Sequence, residues 1–345
     1  MTKVVRIKYF TKDKLALINE NNWKKYEKYL KSNIIKNREV EKSTYNTYEN
    51  YMKHFLVFLA EEYGDMDLYS EEFMEEAVDI MENYISFLQT TLQNNKKVIN
   101  TKISTVSSFY HWSVKRKLVK FHPFDKRLDR MKGSGDEKIK NSYFLTEDQI
   151  NLIKEGLKDE KKFDIQDRVL FNLAIDSANR IGALQSLTLS KMDLDEGMFT
   201  DVREKRGKRV EVCFEEETKE LIEQWLYDRG TKFDLMKVDA LFIAKRNGEY
   251  NPMSKGNLQR RIKAMGTIIG LDDFYAHATR KSAINLIVEK TGDIALGAEI
   301  ANHNSIETTR ASYVKPRTKA ETRNKIKEMI KEKENAKLKE TVNES

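Results

Sequence analysis

The chain has 345 residues, of which 39% are hydrophobic and 34% are charged, and its net charge is +7. This length suits two domains, and because no apolar run approaches the ~18 residues of a membrane-spanning helix, a membrane protein is excluded. A single cysteine, Cys213, excludes an intramolecular disulfide. The N-terminal apolar stretch is too short for a secretory signal. Together with the single cysteine, this favours a location in the reducing cytoplasm.

Residues 21–128 predict a helical bundle. Apolar residues recur there at helical spacing in four stretches, as at Tyr51, Phe55 and Leu59, without strand-like alternation. Four or five amphipathic helices of this kind form a small bundle. Pro123 ends the last helix, and the polar stretch 129–142 predicts a linker. Residues 1–20 stay unassigned, as an N-terminal arm.

Charged residues in this first region are segregated along the chain. From Glu61 to Glu82 there are many acids and neither Lys nor Arg, whereas basic residues dominate between Lys96 and Lys140. This pattern favours one face turned towards phosphate groups and another turned away. Two ordinary solvated helix faces explain the same pattern.

Residues 143–317 mix helices with a β-hairpin. Thr146, with Gln149 three residues later, has the pattern of a capping box that begins a helix. Between Met198 and Phe214, apolar residues alternate on both sides of the basic turn 203–209, which contains one glycine. A charged helical tail follows over 318–345. The predicted fold class is therefore mainly α with a small β-hairpin or sheet, an α+β protein of two domains.

Three features of the second half carry side chains suited to phosphate chemistry. Arg180 precedes a short Leu-containing helix, His277 and Arg280 lie three residues apart just before a predicted helix, and Tyr313 follows His303 by ten residues. Each feature alone arises readily by chance. The absence of a Cys/His cluster from the sequence argues against a structural zinc site.

The order and spacing of these features resemble the tyrosine recombinase, or phage integrase, family of the lambda-integrase and Xer/Cre type. Residues 180–197 resemble the first box of that family, and residues 276–314 resemble the second. The likeness is close over the second half and extends to the first through its helical pattern. It implies a SAM-like core-binding bundle followed by a catalytic domain.

The resemblance also implies a role for each of these residues. Tyr313 is the expected nucleophile, and its phosphotyrosyl intermediate conserves the bond energy for religation. Arg180 and Arg280 are expected to bind the two non-bridging oxygens, which suits a planar guanidinium. His277 either accepts the tyrosine proton or holds the phosphate, and His303 adds a hydrogen bond to it.

A lysine of the hairpin completes the expected set by protonating the leaving 5′ oxygen. Lys205, just before the turn glycine, is the first choice, and Lys208 is the alternative. No cofactor or metal is expected, in agreement with the lack of a carboxylate cluster near these motifs in the sequence.

The implied partner is double-stranded DNA, with no membrane involved. Four copies are expected at synapsis, each C-terminal helix docking on a neighbour, and accessory DNA-bending proteins are further candidate partners. The residues predicted to contact the DNA backbone are basic and lie in the bundle and the hairpin: Lys96, Lys97, Lys102, Lys115, Arg116, Lys117, Arg206, Lys208 and Arg209.

Three departures from the family pattern leave alternatives open. The third residue after Arg180, often acidic in the family, is Ala183. Ala178-Asn179 stands for the usual Gly-Leu, and Ala301-Asn302 stands for the usual Leu-Gly before His303. We expect a recombinase of a mobile element such as a prophage or transposon. A non-cutting DNA-binding regulator with the same fold is the alternative, and a type IB topoisomerase is a third.

Overall fold

The computed structural model describes residues 9–36, 42–64, 66–133, 143–204, 207–231 and 238–315, and residues 318–331 except 321, 325, 328 and 329. The chain divides into two compact units, Met1–Asn141 and Ser142–Ser345. Most of the predicted linker, residues 134–142, lies outside the described residues. Among the described residues, no helix has the length and apolar character needed to cross a membrane.

The first unit is a bundle of helices, as predicted. Its helices are α1 (Lys12–Ala16), α2 (Glu20–Lys36), α3 (Lys42–Tyr63), α4 (Glu71–Thr90) and α5 (Lys96–Lys115). The Ser70 hydroxyl accepts from the amide of Phe73 to cap α4, and Asn95 caps α5 by accepting from the amide of Val98. The inner faces of these helices pack aliphatic and aromatic side chains into one core.

The described part of the unassigned N-terminal arm belongs to this bundle. Tyr9 is buried and its ring stacks on His54 at a centroid distance of 5.4 Å, with Phe10 at 4.2 Å from the same ring. The hydroxyl of Tyr9 donates to Glu61 at 2.6 Å. Residues 9–16 therefore pack as part of the first unit.

The second unit contains eight α-helices in its described residues. They are α6 (Glu147–Gly156), α7 (Ile165–Asp176), α8 (Ile181–Gln185), α9 (Glu216–Thr231), α10 (Lys255–Met265), α11 (Ala276–Thr291), α12 (Ile294–Ile300) and α13 (Ile306–Tyr313). Between 319 and 331 the described residues are helical too. The capping box of Thr146 and Gln149 at α6 is confirmed.

Two small antiparallel sheets accompany these helices. One has the order β1 (Met192–Asp193), β2 (Met198–Arg203) and β3 (Arg209–Cys213), and the other pairs β4 (Ile243–Arg246) with β5 (Glu249–Pro252). The predicted hairpin of β2 and β3 is thus confirmed, whereas β1, β4 and β5 were not predicted. Phe199 and Val202 of β2 face the core opposite Val212 and Val210 of β3. Arg203 opposite Arg209 is the last pair of this ladder before the basic turn.

Helix α7 lies at the centre of the second core, with most of its side chains buried. Its C-terminal end leads into Arg180 and α8. Helix α11 begins at Ala276, so the prediction that His277 precedes the helix is wrong. Ala276 and Ala278 are strong helix formers, and the Thr279 hydroxyl donates to the Ala276 carbonyl within the first turn instead of capping a later start.

Candidate active site

Side chains from three separate segments converge in the second unit. Tyr313, at the end of α13, is buried and packs against a small apolar cluster. Its ring centroid lies 4.5 Å from that of His303 and 5.3 Å from that of His277. The Cζ atom of Arg280 lies 5.4 Å from the centre of the tyrosine ring. The structure therefore places three of the predicted site residues, His277, Arg280 and His303, around the ring of a fourth, Tyr313.

Arg280 ties these segments to one another. Its side chain is fully buried, and it donates to the carbonyl of Ala178 at 2.8 Å and to that of Ala301 at 2.6 Å. It also meets Nε2 of His303 at 2.9 Å. Burial, followed by the nearby positive charge of Arg180, lowers the pKa of Arg280. One guanidinium thus fixes the turn before α8, the end of α12 and the histidine beside the tyrosine.

The protonation of His303 follows from its two neighbours. A guanidinium only donates, so Nε2 of His303 accepts from Arg280 and Nδ1 carries the ring proton. Nδ1 then donates to the hydroxyl of Thr309 at 2.8 Å. Thr309 is fully buried and was not predicted. Desolvation and the positive charges of Arg280 and Arg180 lower the pKa of His303 to about 4.

His277 lies in the first turn of α11 and keeps part of its ring exposed. Partial desolvation, then the positive charges of Arg280, Lys281 and Arg180, lower its pKa to about 4. Both histidines of the site are therefore neutral near pH 7 in the absence of DNA. A neutral imidazole can accept a proton from an approaching hydroxyl.

We expect His277 and His303 to titrate near pH 4 in the folded, DNA-free protein, well below the ordinary value of 6.5. Because the unfolded chain then binds more protons than the folded one, both groups weaken the folded state as the pH falls from about 6.5 towards 4. Histidine ring NMR signals, assigned with His277→Asn and His303→Asn, give the two titrations. Midpoints near 6.5 would show that neither burial nor the surrounding cations lower the pKa of these rings.

Arg180 lies at the N-cap of α8 and is about one-third exposed. Its Nη1 atom donates to Oε2 of Glu204 at 2.6 Å. Glu204, at the end of β2, is buried and was not predicted as part of the site. The positive charge of Arg180 helps to lower the pKa of Arg280 and of both histidines. Arg180 is therefore close enough to these side chains to be part of the same site.

The hairpin turn reaches the site through Lys208. Its Nζ atom donates to the carbonyl of Asn302 at 3.0 Å, next to His303. Lys205 and Arg206 lie outside the described residues. The predicted choice of Lys205 over Lys208 therefore remains a prediction.

Two departures from the family pattern stand at positions with a left-handed backbone. Ala178 has φ of 51° and Asn302 has φ of 53°, in the region that favours glycine. Asparagine adopts this conformation at low cost, whereas alanine bears strain. The chain thus follows a glycine-like backbone path at both positions, and the carbonyl groups of both residues bind site side chains.

Substitutions of Ala178 test this strain. We expect Ala178→Gly to stay within about 1 kcal/mol of wild type, because relief of the left-handed strain offsets the lost buried methyl. Ala178→Val should lower the free energy of unfolding by about 2 kcal/mol, since a branched side chain resists this conformation. Urea denaturation measures both. A glycine variant less stable than the valine variant would contradict the assignment.

The basic residues predicted to contact DNA differ in their exposure. Lys97, Lys115, Arg116 and Lys117 are exposed on the first unit, and Lys96 is half-buried. In the hairpin, Lys208 and Arg209 are exposed. Arg209 pairs with Asp201 at 3.1 Å.

Lys102 does not fit the prediction of a DNA-contacting residue. Its side chain is 3% exposed, its Nζ atom lies 5.8 Å from the ring centre of Tyr51, and burial lowers its pKa to about 8. The buried face of α5 is wide enough to include it between Ile99 and Ile103. We therefore remove Lys102 from the residues proposed to contact phosphate.

The chain belongs to the phage integrase family, whose model matches residues 143–320, more than half of the 345 residues. No three His, Cys, Asp or Glu side chains are placed to share a metal ion in the described ranges.

Individual relatives are distant in sequence. Tyrosine recombinase XerC of Lactobacillus delbrueckii subsp. bulgaricus is 24% identical over 231 residues, which cover 66% of this chain and 75% of the relative. Tn1549 transposon integrase, solved in complex with a circular intermediate DNA, has a TM-score of 0.63 at 14% identity, over 87% of this chain and 98% of that one. Lambda integrase residues 75–356, solved as a dimer bound to a COC′ core site, gives 0.61 at 14% identity, over 86% and 96%. The two structures show a shared fold.

Proposed function

We propose that this protein is a site-specific DNA recombinase that cuts and rejoins DNA through a 3′-phosphotyrosyl intermediate on Tyr313. The observation that carries the proposal is the placement of the Tyr313 ring, with Arg280, His277 and His303 all within 5.4 Å as measured from ring or guanidinium centres. A tyrosine surrounded by cationic and neutral nitrogen groups is suited to attack on a phosphate.

The chemistry divides among these side chains. Arg180 and Arg280 bind the non-bridging oxygens and stabilise the charge that builds up on them during attack. His277, neutral in the free protein, accepts the tyrosine proton or holds the phosphate. His303 donates to the phosphate only when its proton is on Nε2. This requires that Arg280 turn its Nη2 hydrogen bond from the imidazole to the phosphate oxygen, and that Nδ1 of His303 accept from the Thr309 hydroxyl instead of donating to it.

A hairpin lysine gives a proton to the departing 5′ oxygen. We keep Lys205 as the proposed acid and Lys208 as the alternative. The contact of Lys208 with the Asn302 carbonyl shows that a lysine of this turn can reach the residue next to His303. The bond formed is Tyr313 oxygen to phosphorus and the bond broken is phosphorus to the 5′ oxygen, without a metal ion.

The similar proteins support a proposal for the biological role and the assembly of this protein. A transposon integrase and a phage integrase share the fold, which supports a role in a mobile element such as a prophage or transposon. We propose a core-binding domain over 21–128 and a catalytic domain over 143–317, joined by the linker 129–142. The DNA-bound protein acts in the cytoplasm as a tetramer, with the tail 318–345 docked on a neighbour and accessory DNA-bending proteins as further partners.

A nicked duplex tests the proposal directly. The substrates are duplexes from the DNA flanking the gene, each with a nick in one strand. The fragment that cleavage releases then diffuses away, and the covalent intermediate accumulates. We expect a protein–DNA adduct on a denaturing gel, with equal yield in the presence of EDTA. Tight binding in a gel shift without any adduct would favour the non-cutting regulator.

A further inference from the structure

Glu204 carries a negative charge inside a site that is otherwise built for phosphate. Its side chain is 2% exposed, and Oε2 accepts from Nη1 of Arg180 at 2.6 Å. The second oxygen, Oε1, is buried with no hydrogen-bond partner among the described residues. A buried carboxylate costs several kcal/mol of desolvation unless a partner offsets it. It also repels a phosphate, so its presence here needs a reason.

The hairpin backbone and the C-cap residue of α8, Ser186, set the position of this carboxylate. The amide of Glu204 donates to the carbonyl of Lys208 at 2.7 Å across the turn, and the hydroxyl of Ser186 donates to the carbonyl of Arg203 at 3.2 Å. The backbone of Glu204 is thus held on both sides. The turn and short helix around Arg180, residues 177–185, contain no acid. Glu204 is the one carboxylate that Arg180 meets among the described residues.

Arg180 itself is only partly enclosed. About one-third of its side chain is exposed. A long side chain in this setting samples many rotamers unless one edge of its guanidinium is anchored. The hydrogen bond from Nη1 to Glu204 leaves the other N–H groups of the guanidinium available to bind a ligand.

We propose that Glu204 is the positioning residue of Arg180. It holds one edge of the guanidinium, so that the remaining N–H groups meet the scissile phosphate without reorganisation. The same contact links the hairpin, which carries the proposed lysine acid, to the phosphate site. This inference rests on the proposed function, because it assigns to Glu204 a part in the same cleavage step.

The expected effect falls on the rate of cleavage more than on DNA affinity. With the nicked duplex and saturating protein, Glu204→Ala should slow adduct formation on the order of 10²-fold, the scale of misplacing one group by about 1 Å. Glu204→Gln keeps an oxygen acceptor and should be slowed by about tenfold, since a neutral acceptor makes a weaker bond than a charged one. The Kd for DNA should change less than about threefold, because many other phosphate contacts remain.

A matched control lies in the same hairpin. Asp201 pairs with Lys191 and Arg209 at an exposed position, so Asp201→Asn removes the same charge from the same hairpin without touching Arg180. Asparagine also tolerates the left-handed backbone of this position, where φ is 51°. This variant should cleave at the wild-type rate. In an Arg180→Ala background, Glu204→Ala should cause no further loss, because a residue that acts through Arg180 has nothing left to position.

The outcomes separate this inference from the proposed function. An active wild type with Glu204→Gln and Glu204→Ala as fast as Asp201→Asn overturns the positioning role alone. An equal loss from Glu204→Ala with and without Arg180 also overturns it. A wild type that never forms an adduct overturns the proposed function and this inference together. Thermal unfolding shows whether the Glu204→Ala variant is misfolded. If it is, the cleavage rate of the nearly isosteric Glu204→Gln variant tests the positioning role.

Discussion

Tyr313→Phe is expected to abolish the covalent protein–DNA adduct while leaving folding and DNA binding intact. The substitution removes only the hydroxyl, and the ring keeps its packing against Ala178, Ala283, Ile284 and Ala301. Without a nucleophilic oxygen no phosphotyrosyl bond can form, so the loss should reach the detection limit, at least about 10³-fold. The measurement is adduct yield on the nicked duplex beside a gel shift with the same DNA.

Tyr143→Phe is a matched control for this variant. Tyr143 lies in the same unit and donates its hydroxyl to Asp273, away from the site. It should form adduct like wild type. Adduct persisting in Tyr313→Phe would mean that another residue is the nucleophile, and the proposed mechanism would fail at its first step.

Arg280→Ala is expected to lose both cleavage and stability. The substitution leaves the carbonyls of Ala178 and Ala301 buried without their donor and opens a cavity under the Tyr313 ring. Unsatisfied buried carbonyls cost about 1–3 kcal/mol each, so the free energy of unfolding should fall by about 2–5 kcal/mol. Urea denaturation measures the stability, and the nicked duplex measures cleavage.

Two further variants separate charge from geometry at this position. Arg280→Lys keeps a positive charge but has a single nitrogen, which cannot reach both carbonyls and the imidazole. It should recover part of the stability and little of the cleavage. Arg310→Ala is the control, because Arg310 is an exposed arginine paired with Glu307, a contact worth less than about 0.5 kcal/mol. Wild-type stability in Arg280→Ala would contradict the role of Arg280 in joining the three segments.

The sequence contained enough local information to predict much of this fold. The capping box at Thr146, the helical stripe around Phe55 and the alternation of Phe199 and Val202 each act within a few residues. The structure confirms the elements predicted from these patterns. The predicted site residues Arg180, Arg280, His303 and Tyr313 also lie together, although their positions in the sequence span 134 residues.

What the sequence could not show depends on contacts between distant segments. Glu204 meets Arg180 across 24 residues only because the hairpin register brings the end of β2 to α8. Thr309 meets His303 through the turn between α12 and α13. Each is one ordinary polar residue among many, and no spacing marks it in advance. A buried polar side chain next to a known motif is found only once the packing is known.

Lys102, in contrast, was predicted from the sequence to contact DNA, and the packing does not support that prediction. Its charge fits the basic run that begins at Lys96, and the charge pattern alone assigned both to one surface. Helix α5 buries more than one stripe of residues, however, and Lys102 falls inside this wide face. The width of a buried face depends on how many helices surround it. Sequence periodicity does not report that number.

The most direct test of the central claim is to identify the residue that carries the DNA. Wild-type protein is trapped on the nicked duplex, the adduct is digested with protease and nuclease, and the modified peptide is sequenced by mass spectrometry. We predict a nucleotide attached by its 3′-phosphate to the phenolic oxygen of Tyr313. Attachment to any other residue, or full occupancy of the DNA without a modified peptide, would contradict this account.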